Sequence, residues 1–259
     1  MLDSLYAGAV EDAGKRQEHI SLTAIERQAL LTPAALDVKR FLSSGQNINV
    51  IAEIKRASPS KGHLADIPDP AALARVYESA GASAISVLTE QRSFLGSLDD
   101  LDQVREAVSI PILRKDFIAN EYQVLEARAH GADIVLLIAA GLQQQTLIRL
   151  KKLTEDLGMC AFVETHNLEE VQFASSIGAD LVGINARDLT TFETDRDLFE
   201  SLVSELPVDC IKVAESAVRD AGDVAAYSAA GAQCVLVGEA LVTGDAKQLI
   251  ESFTQIPKA

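Results

Sequence analysis

Four segments of this 259-residue chain repeat one design: AGASAISVL at 80–88, HGADIVLLI at 130–138, IGADLVGIN at 177–185 and AGAQCVLVG at 230–238. Each places a glycine able to end a helix and a small residue ahead of a short apolar run suited to a strand. The glycines Gly81, Gly131, Gly178 and Gly231 recur at intervals of 50, 47 and 53 residues. Four more strand candidates lie between them: NVIAEI at 49–54, IPILRK at 110–115, CAFVE at 160–164 and CIKVAE at 210–215. Most are continuous apolar runs, the signature of parallel strands covered on both faces. Helical patterns separate them, among them 70–81, 101–109, 121–131 and 224–231. This cadence predicts an α/β fold, a (β/α)8 (TIM) barrel in one domain spanning 1–259, and favours it over an open doubly wound sheet. Residues 1–47 read as an N-terminal helical extension packed on the barrel, with helices over 2–19 and 31–45.

The charges fall in a second pattern. INVIAEIKRASPSKG at 48–62 starts as a buried strand, yet Glu53 and Lys55 interrupt it two residues apart and point the same way. Strand 3 ends RKDF, strand 5 VET and strand 7 AES. If Ile51 faces inward, so do Glu53 and Lys55; parity likewise turns Lys115 inward with Leu113, Glu164 with Phe162, and Glu215 with Val213. Asn185 extends the face of Gly183. Barrel active sites lie at the C-terminal strand ends, so three acids and two lysines converge on one mouth. A buried salt-bridge network that only fixes register is the plainer reading, but such networks seldom stabilise a fold relative to apolar packing. Coupled acids and lysines are instead a common means of tuning proton transfer.

The loops after strands 7 and 8 commonly bind phosphate in barrels. Here they begin AESAV and VGEAL, offering Ser216, Gly238 and backbone N–H groups, with Ser58 and Arg187 as further donors. Such a site must work against the global field, because the formal charge is -15. That charge argues against nucleic acid or an anionic membrane surface as partner. The apolar run at 134–142 is too short to span a bilayer, and the first residues lack an apolar signal core. Cys160, Cys210 and Cys234 have no metal-ligand spacing and read as reduced, buried thiols of a cytoplasmic protein. No P-loop or GxGxxG fingerprint supports a nucleotide cofactor. His63 and His166 read as loop histidines, Phe94 and Phe117 as a stacking wall or simple packing, and DLDQVRE at 100–106 as a solvated helix face.

IAEIKRASPSKG, VLTE at 87–90, ILRKDF at 112–117, GADIVLLI, INARDL at 184–189 and VAES at 213–216 together resemble the indole-3-glycerol-phosphate synthase family across essentially the whole chain. The resemblance implies ring closure, decarboxylation and dehydration of 1-(2-carboxyphenylamino)-1-deoxyribulose 5-phosphate in tryptophan biosynthesis, by a monomer or weak homodimer, with no cofactor and no metal. It implies that Lys115 is the acid at the ketone, that Lys55, Glu53 and Glu164 serve the later proton transfers, and that Asn185 and Glu215 orient the substrate. Phe94, Phe117, Leu136 and Leu189 match the pocket for the aromatic ring; Ser58, Arg187, Ser216, Gly238 and the Glu239 backbone match phosphate contacts. Two departures stand out. Ala217 occupies a position where the family commonly has glycine, which weakens phosphate binding if a positive φ is needed there. Glu239 stands where some members have serine, and repels a dianion unless its side chain turns outward. A Schiff-base lyase or aldolase using Lys115 or Lys55 is the competing enzyme reading, and a non-catalytic binding barrel the competing non-enzyme one.

Overall fold

The computed structural model describes residues 1–188 and 193–259. Its eight barrel strands are β1 (Asn49–Ile54), β2 (Ala84–Leu88), β3 (Ile112–Lys115), β4 (Ile134–Ile138), β5 (Cys160–Thr165), β6 (Leu181–Asn185), β7 (Ile211–Glu215) and β8 (Cys234–Val237). All pair in parallel and close in the order β1-β8-β7-β6-β5-β4-β3-β2. Closure is made by β1, which pairs Ile51 with Leu236 on one side and with Ala84 on the other. The expected (β/α)8 barrel is therefore the observed architecture.

Twelve α-helices accompany the described strands: α1 (Leu2–His19), α2 (Leu22–Leu31), α3 (Val38–Leu42), α4 (Pro70–Ser79), α5 (Leu98–Ala107), α6 (Glu121–Ala129), α7 (Gln144–Asp156), α8 (Leu168–Ser176), α9 (Leu198–Leu202), α10 (Ala221–Ala229), α11 (Glu239–Thr243) and α12 (Ala246–Phe253). Their starts are written in the sequence. Asp69, Ser97, Asn120, Asn167, Asp220 and Asp245 each accept a hydrogen bond from a backbone N–H in the following first turn, satisfying a donor that helix geometry leaves free. Their ends explain the recurring glycines. Gly81, Gly131, Gly178 and Gly231 have φ of 100, 80, 63 and 103°, a conformation that favours residues without a Cβ.

Strand parity sorts the core into two apolar shells. Ile51, Ala84, Leu113, Ile134, Leu136, Phe162, Leu181, Ile211, Val213, Cys234 and Leu236 fill the barrel interior. Val50, Ala52, Ile85, Val87, Ile112, Val135, Leu137 and Val163 pack outward beneath the helices. Cys210 and Cys234 are buried, Cys160 is half-buried, and all three are free thiols. No helix among the described residues is long and apolar enough to cross a membrane.

The N-terminal segment departs from its expected form. The helix over 2–19 is present, but the one over 31–45 is not: α2 ends at Leu31 and α3 covers only Val38–Leu42. Pro33 lacks a donor and disfavours helix at the residue before it, while Asp37 accepts from Arg40 N and starts α3 afresh. Between them Leu36 N donates to Asp133 Oδ1 at 2.8 Å. The extension wraps the barrel from end to end. Tyr6 of α1 packs edge-on against Phe117 at the mouth, with ring centroids 5.5 Å apart; α2 lies along α6; Val38 and Leu42 of α3 join the interior at the far end.

A second expectation also changes. DLDQVRE is not simply a solvated face: Asp100 is buried and receives two hydrogen bonds from Arg56, two residues past the end of β1.

Candidate active site

The C-terminal strand ends surround a cavity of about 640 Å³. Glu53, Lys55, Lys115, Glu164, Asn185 and Glu215 all reach its lining, as their parity predicts. At its centre Lys115 Nζ lies 2.9 Å from Glu215 Oε2 and 3.6 Å from both Glu53 Oε2 and Glu164 Oε2. Lys55 Nζ is 2.8 Å from Glu53 Oε1. One ammonium thus serves three carboxylates, with a second holding one of them from the side.

This sharing pushes the acids apart. Burial favours a neutral Glu164, yet the charge of Lys115, with the nearby His166 ring and a hydrogen bond from Asn185, outweighs it and holds the carboxyl below its usual range. Glu53 is likewise buried and likewise held low by Lys55 and Lys115. Glu215 moves the other way: burial and the Glu164 charge raise it despite Lys115. Lys115 is stripped of solvent, but Glu215, Glu53 and Glu164 more than compensate and raise it above a free lysine. Carboxyls with opposed shifts beside one ammonium mark a site built to move protons.

Asn185 is fixed by three contacts. Its Oδ1 accepts from Ser216 Oγ at 2.7 Å and from Arg187 N at 3.0 Å, which leaves Nδ2 to donate to Glu164 Oε1 at 3.1 Å. Ser216 therefore spends its hydroxyl on the proton-transfer end of the site. Ser216 and Ala217 have φ of 68 and 59°, so the glycine-favouring conformation raised by the sequence is indeed adopted by alanine. Arg196 Nη2 donates to the Ala217 carbonyl at 3.0 Å and steadies that turn.

Two glycines make room for the charged groups. A Cβ at Gly183 would overlap Glu215 Oε1, and one at Gly238 would overlap Glu53 Oε1 and stand 3.2 Å from Lys55 Nζ. A Gly238→Ala variant is expected to keep its fold by circular dichroism while kcat falls about 10- to 100-fold, because the Glu53–Lys55 pair must shift. Wild-type kcat in that variant would show that the pair tolerates displacement.

The cavity has two unlike ends. On one side Phe94, Phe117 and Leu136 form an apolar wall, joined by Leu2 and Leu5 of α1 and by Ile138. Phe94 and Phe117 are tilted at 45° with centroids 6.1 Å apart. Leu189 lies outside the described residues. On the other side stand Ser58, Ser60, Lys61, Arg187, Gly238 and Glu239. A two-stranded ribbon, Ala57–Ser58 with Gly62–His63, folds the first loop over this end. Arg187 Nη1 donates to Ser60 Oγ at 3.2 Å, while its buried Nε has no partner. Glu239 does not turn away: its carboxylate lies 3.6 Å from Lys61 Nζ and 3.9 Å from Arg187 Nη2.

Sequence reasoning missed part of the wall. The α1 residues are far from the motifs in sequence and carry only an ordinary apolar stripe. His63 is exposed beside Asp66, as a loop histidine should be. His166 is not: its side chain is 10 % exposed and sits between Glu164 and Glu170.

A family model described as indole-3-glycerol phosphate synthase matches residues 2–253. The chain is 56% identical over 253 residues to the indole-3-glycerol phosphate synthase of Leifsonia xyli subsp. xyli, covering 98% of this chain and 97% of that protein. It is 55% identical over 251 residues to the enzyme of the same name from Mycolicibacterium vanbaalenii, covering 96% and 92%. Among solved structures, an N-acetylmannosamine-6-phosphate 2-epimerase from Clostridium perfringens superposes with a TM-score of 0.60 at 19% identity, covering 80% of this chain and 93% of that one. That last likeness speaks to the barrel fold alone.

Proposed function

Because the chain belongs to the indole-3-glycerol phosphate synthase family, we propose that its mouth cavity is where it performs that family's reaction. The enzyme is a carboxy-lyase of tryptophan biosynthesis. It converts 1-(2-carboxyphenylamino)-1-deoxyribulose 5-phosphate into indole-3-glycerol phosphate, CO2 and water. In this reading it acts in the cytoplasm as one (β/α)8 unit, a monomer or weak homodimer, on a diffusing substrate.

The observation that carries the site assignment is the Lys115 ammonium, placed among three carboxylates between an apolar end and a cationic end. The anthranilate ring fits against Phe94, Phe117 and Leu136, and the phosphate toward Ser58, Arg187 and the Gly238–Glu239 backbone. The ketone then lies over Lys115. Holding ring and ketone in contact supplies much of the rate, since closure within one bound molecule needs no second encounter. The ring carbon bearing the carboxylate attacks the ketone carbon, and the ketone oxygen takes a proton from Lys115. The carboxylate leaves as CO2, returning its electron pair to the ring. The new hydroxyl departs as water with a proton from Lys55, which the Glu53 carboxylate holds in place. A carboxylate, Glu53 or Glu164 in this reading, removes the last proton to complete the indole. Asn185 and Glu215 hold the bridging amine and the hydroxyls.

The Schiff-base alternative fares poorly on this geometry. It needs an uncharged amine, whereas the Glu215, Glu53 and Glu164 carboxylates keep Lys115 protonated. The test supplies the carboxyphenylamino-deoxyribulose phosphate and follows indole fluorescence. A rise in fluorescence, with no adduct trapped by borohydride, is expected. No product at high enzyme concentration would overturn the assignment.

A further inference from the structure

Lys115 is the counterion that three carboxylates share, and in the proposed reaction it gives its proton away. At that moment Glu53 still has Lys55 at 2.8 Å. Glu164 has a different neighbour. His166 Nε2 lies 3.3 Å from Glu164 Oε1, and His166 Nδ1 lies 3.3 Å from Glu170 Oε2 on α8. The ring is set from behind. Glu170 Oε2 also accepts from His166 N at 2.8 Å, and its Oε1 accepts from Asn167 Nδ2 at 2.6 Å. His166 Nε2 is buried and not yet aligned in a hydrogen bond, so its nearest acceptor is the Glu164 oxygen.

We propose that His166, held by Glu170, is a positioning residue: a fixed imidazolium that keeps Glu164 a carboxylate, with Oε2 turned to the cavity, while Lys115 is neutral. The charged groups facing this unit are Lys115 on β3, Glu164 on β5, Glu170 on α8 and Glu215 on β7. Burial works against the imidazolium, but the Glu164 carboxylate 3.3 Å away and the hydrogen bond to Glu170 outweigh it and lift the ring's pKa to about 10. A histidine kept charged in this way is a structural cation, unlike one that switches near neutrality. Glu164 lines the cavity, whereas neither His166 nor Glu170 does. The pair can therefore act on Glu164 without touching substrate. This role rests on the reaction proposed above.

Two measurements test it, one of them independent of turnover. Four histidines are present in the chain, so ring ¹⁵N resonances can be followed in free protein and His166 assigned by its loss in His166→Gln. Both ring nitrogens are expected to stay protonated up to pH 9, and the midpoint is expected to fall by about two units in Glu164→Gln. A midpoint near 6.5, or one indifferent to Glu164→Gln, would overturn the proposal. In steady state, His166→Gln is expected to lower kcat about 10- to 100-fold with KM changed less than about threefold. The acid limb of its kcat profile should move to higher pH by about one unit, because Glu164 left with Lys115 as its one neighbouring cation protonates more readily. A loss of kcat with an unmoved acid limb would mean that His166 only packs, and would equally overturn the proposal. If wild type fails to turn the substrate over, the reaction reading fails while the resonance result still stands.

Discussion

Replacing Lys115 with methionine is expected to lower turnover by at least about 10³-fold while substrate binding changes by less than about tenfold. In the proposed reading, the aromatic and phosphate ends that would grip the substrate are built from other residues. What would disappear is the proton donor proposed at the ketone. Single-turnover indole fluorescence measures the first quantity, and quenching titrations with a substrate analogue the second. Near-normal turnover would remove Lys115 from its role as acid. The same substitution leaves Glu53, Glu164 and Glu215 facing one another without their shared counterion, and removing one partner of a buried pair costs about 3–5 kcal/mol. The pH dependence has a definite sign. Without Lys115 the carboxyls are raised above their unfolded value near about 4.3, so the penalty is absent below that pH and grows as they are forced to ionise. The melting temperature of the variant should therefore approach that of wild type on going from pH 8 to pH 5. A deficit independent of pH would place the damage in packing.

Arg114→Met is expected to be the most destabilising single change outside the cavity, at about 3–5 kcal/mol. Arg114 has no exposed surface and donates to Thr89 Oγ1, the Gln123 carbonyl and Asp116 Oδ2, while pairing with Glu126 Oε2 at 2.9 Å. Methionine fills similar space but takes the buried cation away from the Asp116 and Glu126 carboxylates between β3 and α6. Arg16 grips the same Glu126 from α1, yet its side chain is 26 % exposed, so Arg16→Met should cost only about 1 kcal/mol. Chemical denaturation of the two variants separates these figures. Activity should fall with Arg114→Met as well, because Asp116 Oδ1 accepts from Phe117 N and so fixes the chain next to Lys115. Equal stability losses in the two variants would mean that burial does not decide the cost.

Much of this was legible because a parallel barrel imposes a strict alternation on its strands. Once Ile51 is assigned inward, Glu53 and Lys55 follow, and four further polar residues fall at the same end by the same rule. The rule also turns Arg114 outward, toward a buried position that a charge occupies only with partners, and two of those partners, the Gln123 carbonyl and Glu126, sit on α6 where no strand pattern announces them. His166 was obscured by its loop setting; Glu170, four residues on, is what draws it inward. The extension was misread because Pro33 and Asp37 break a pattern whose apolar spacing still suits a helix. The α1 wall was invisible for another reason. Tyr6 meets Phe117 only after the barrel exists, and no spacing within either segment encodes their encounter.

The pairing of Ile51 with Leu236 bears on how the enzyme comes into being. Its two partners are among the first and last strand residues to leave the ribosome, and joining distant segments is the slow part of folding. Gly238, from the late end, is what Glu53 and Lys55 need beside them. A nascent barrel lacking β8 therefore has neither closure nor the finished seat for its first two charged residues. Recovery of activity on refolding should follow the slowest event seen by any structural probe, making catalysis itself the clock for the final seam.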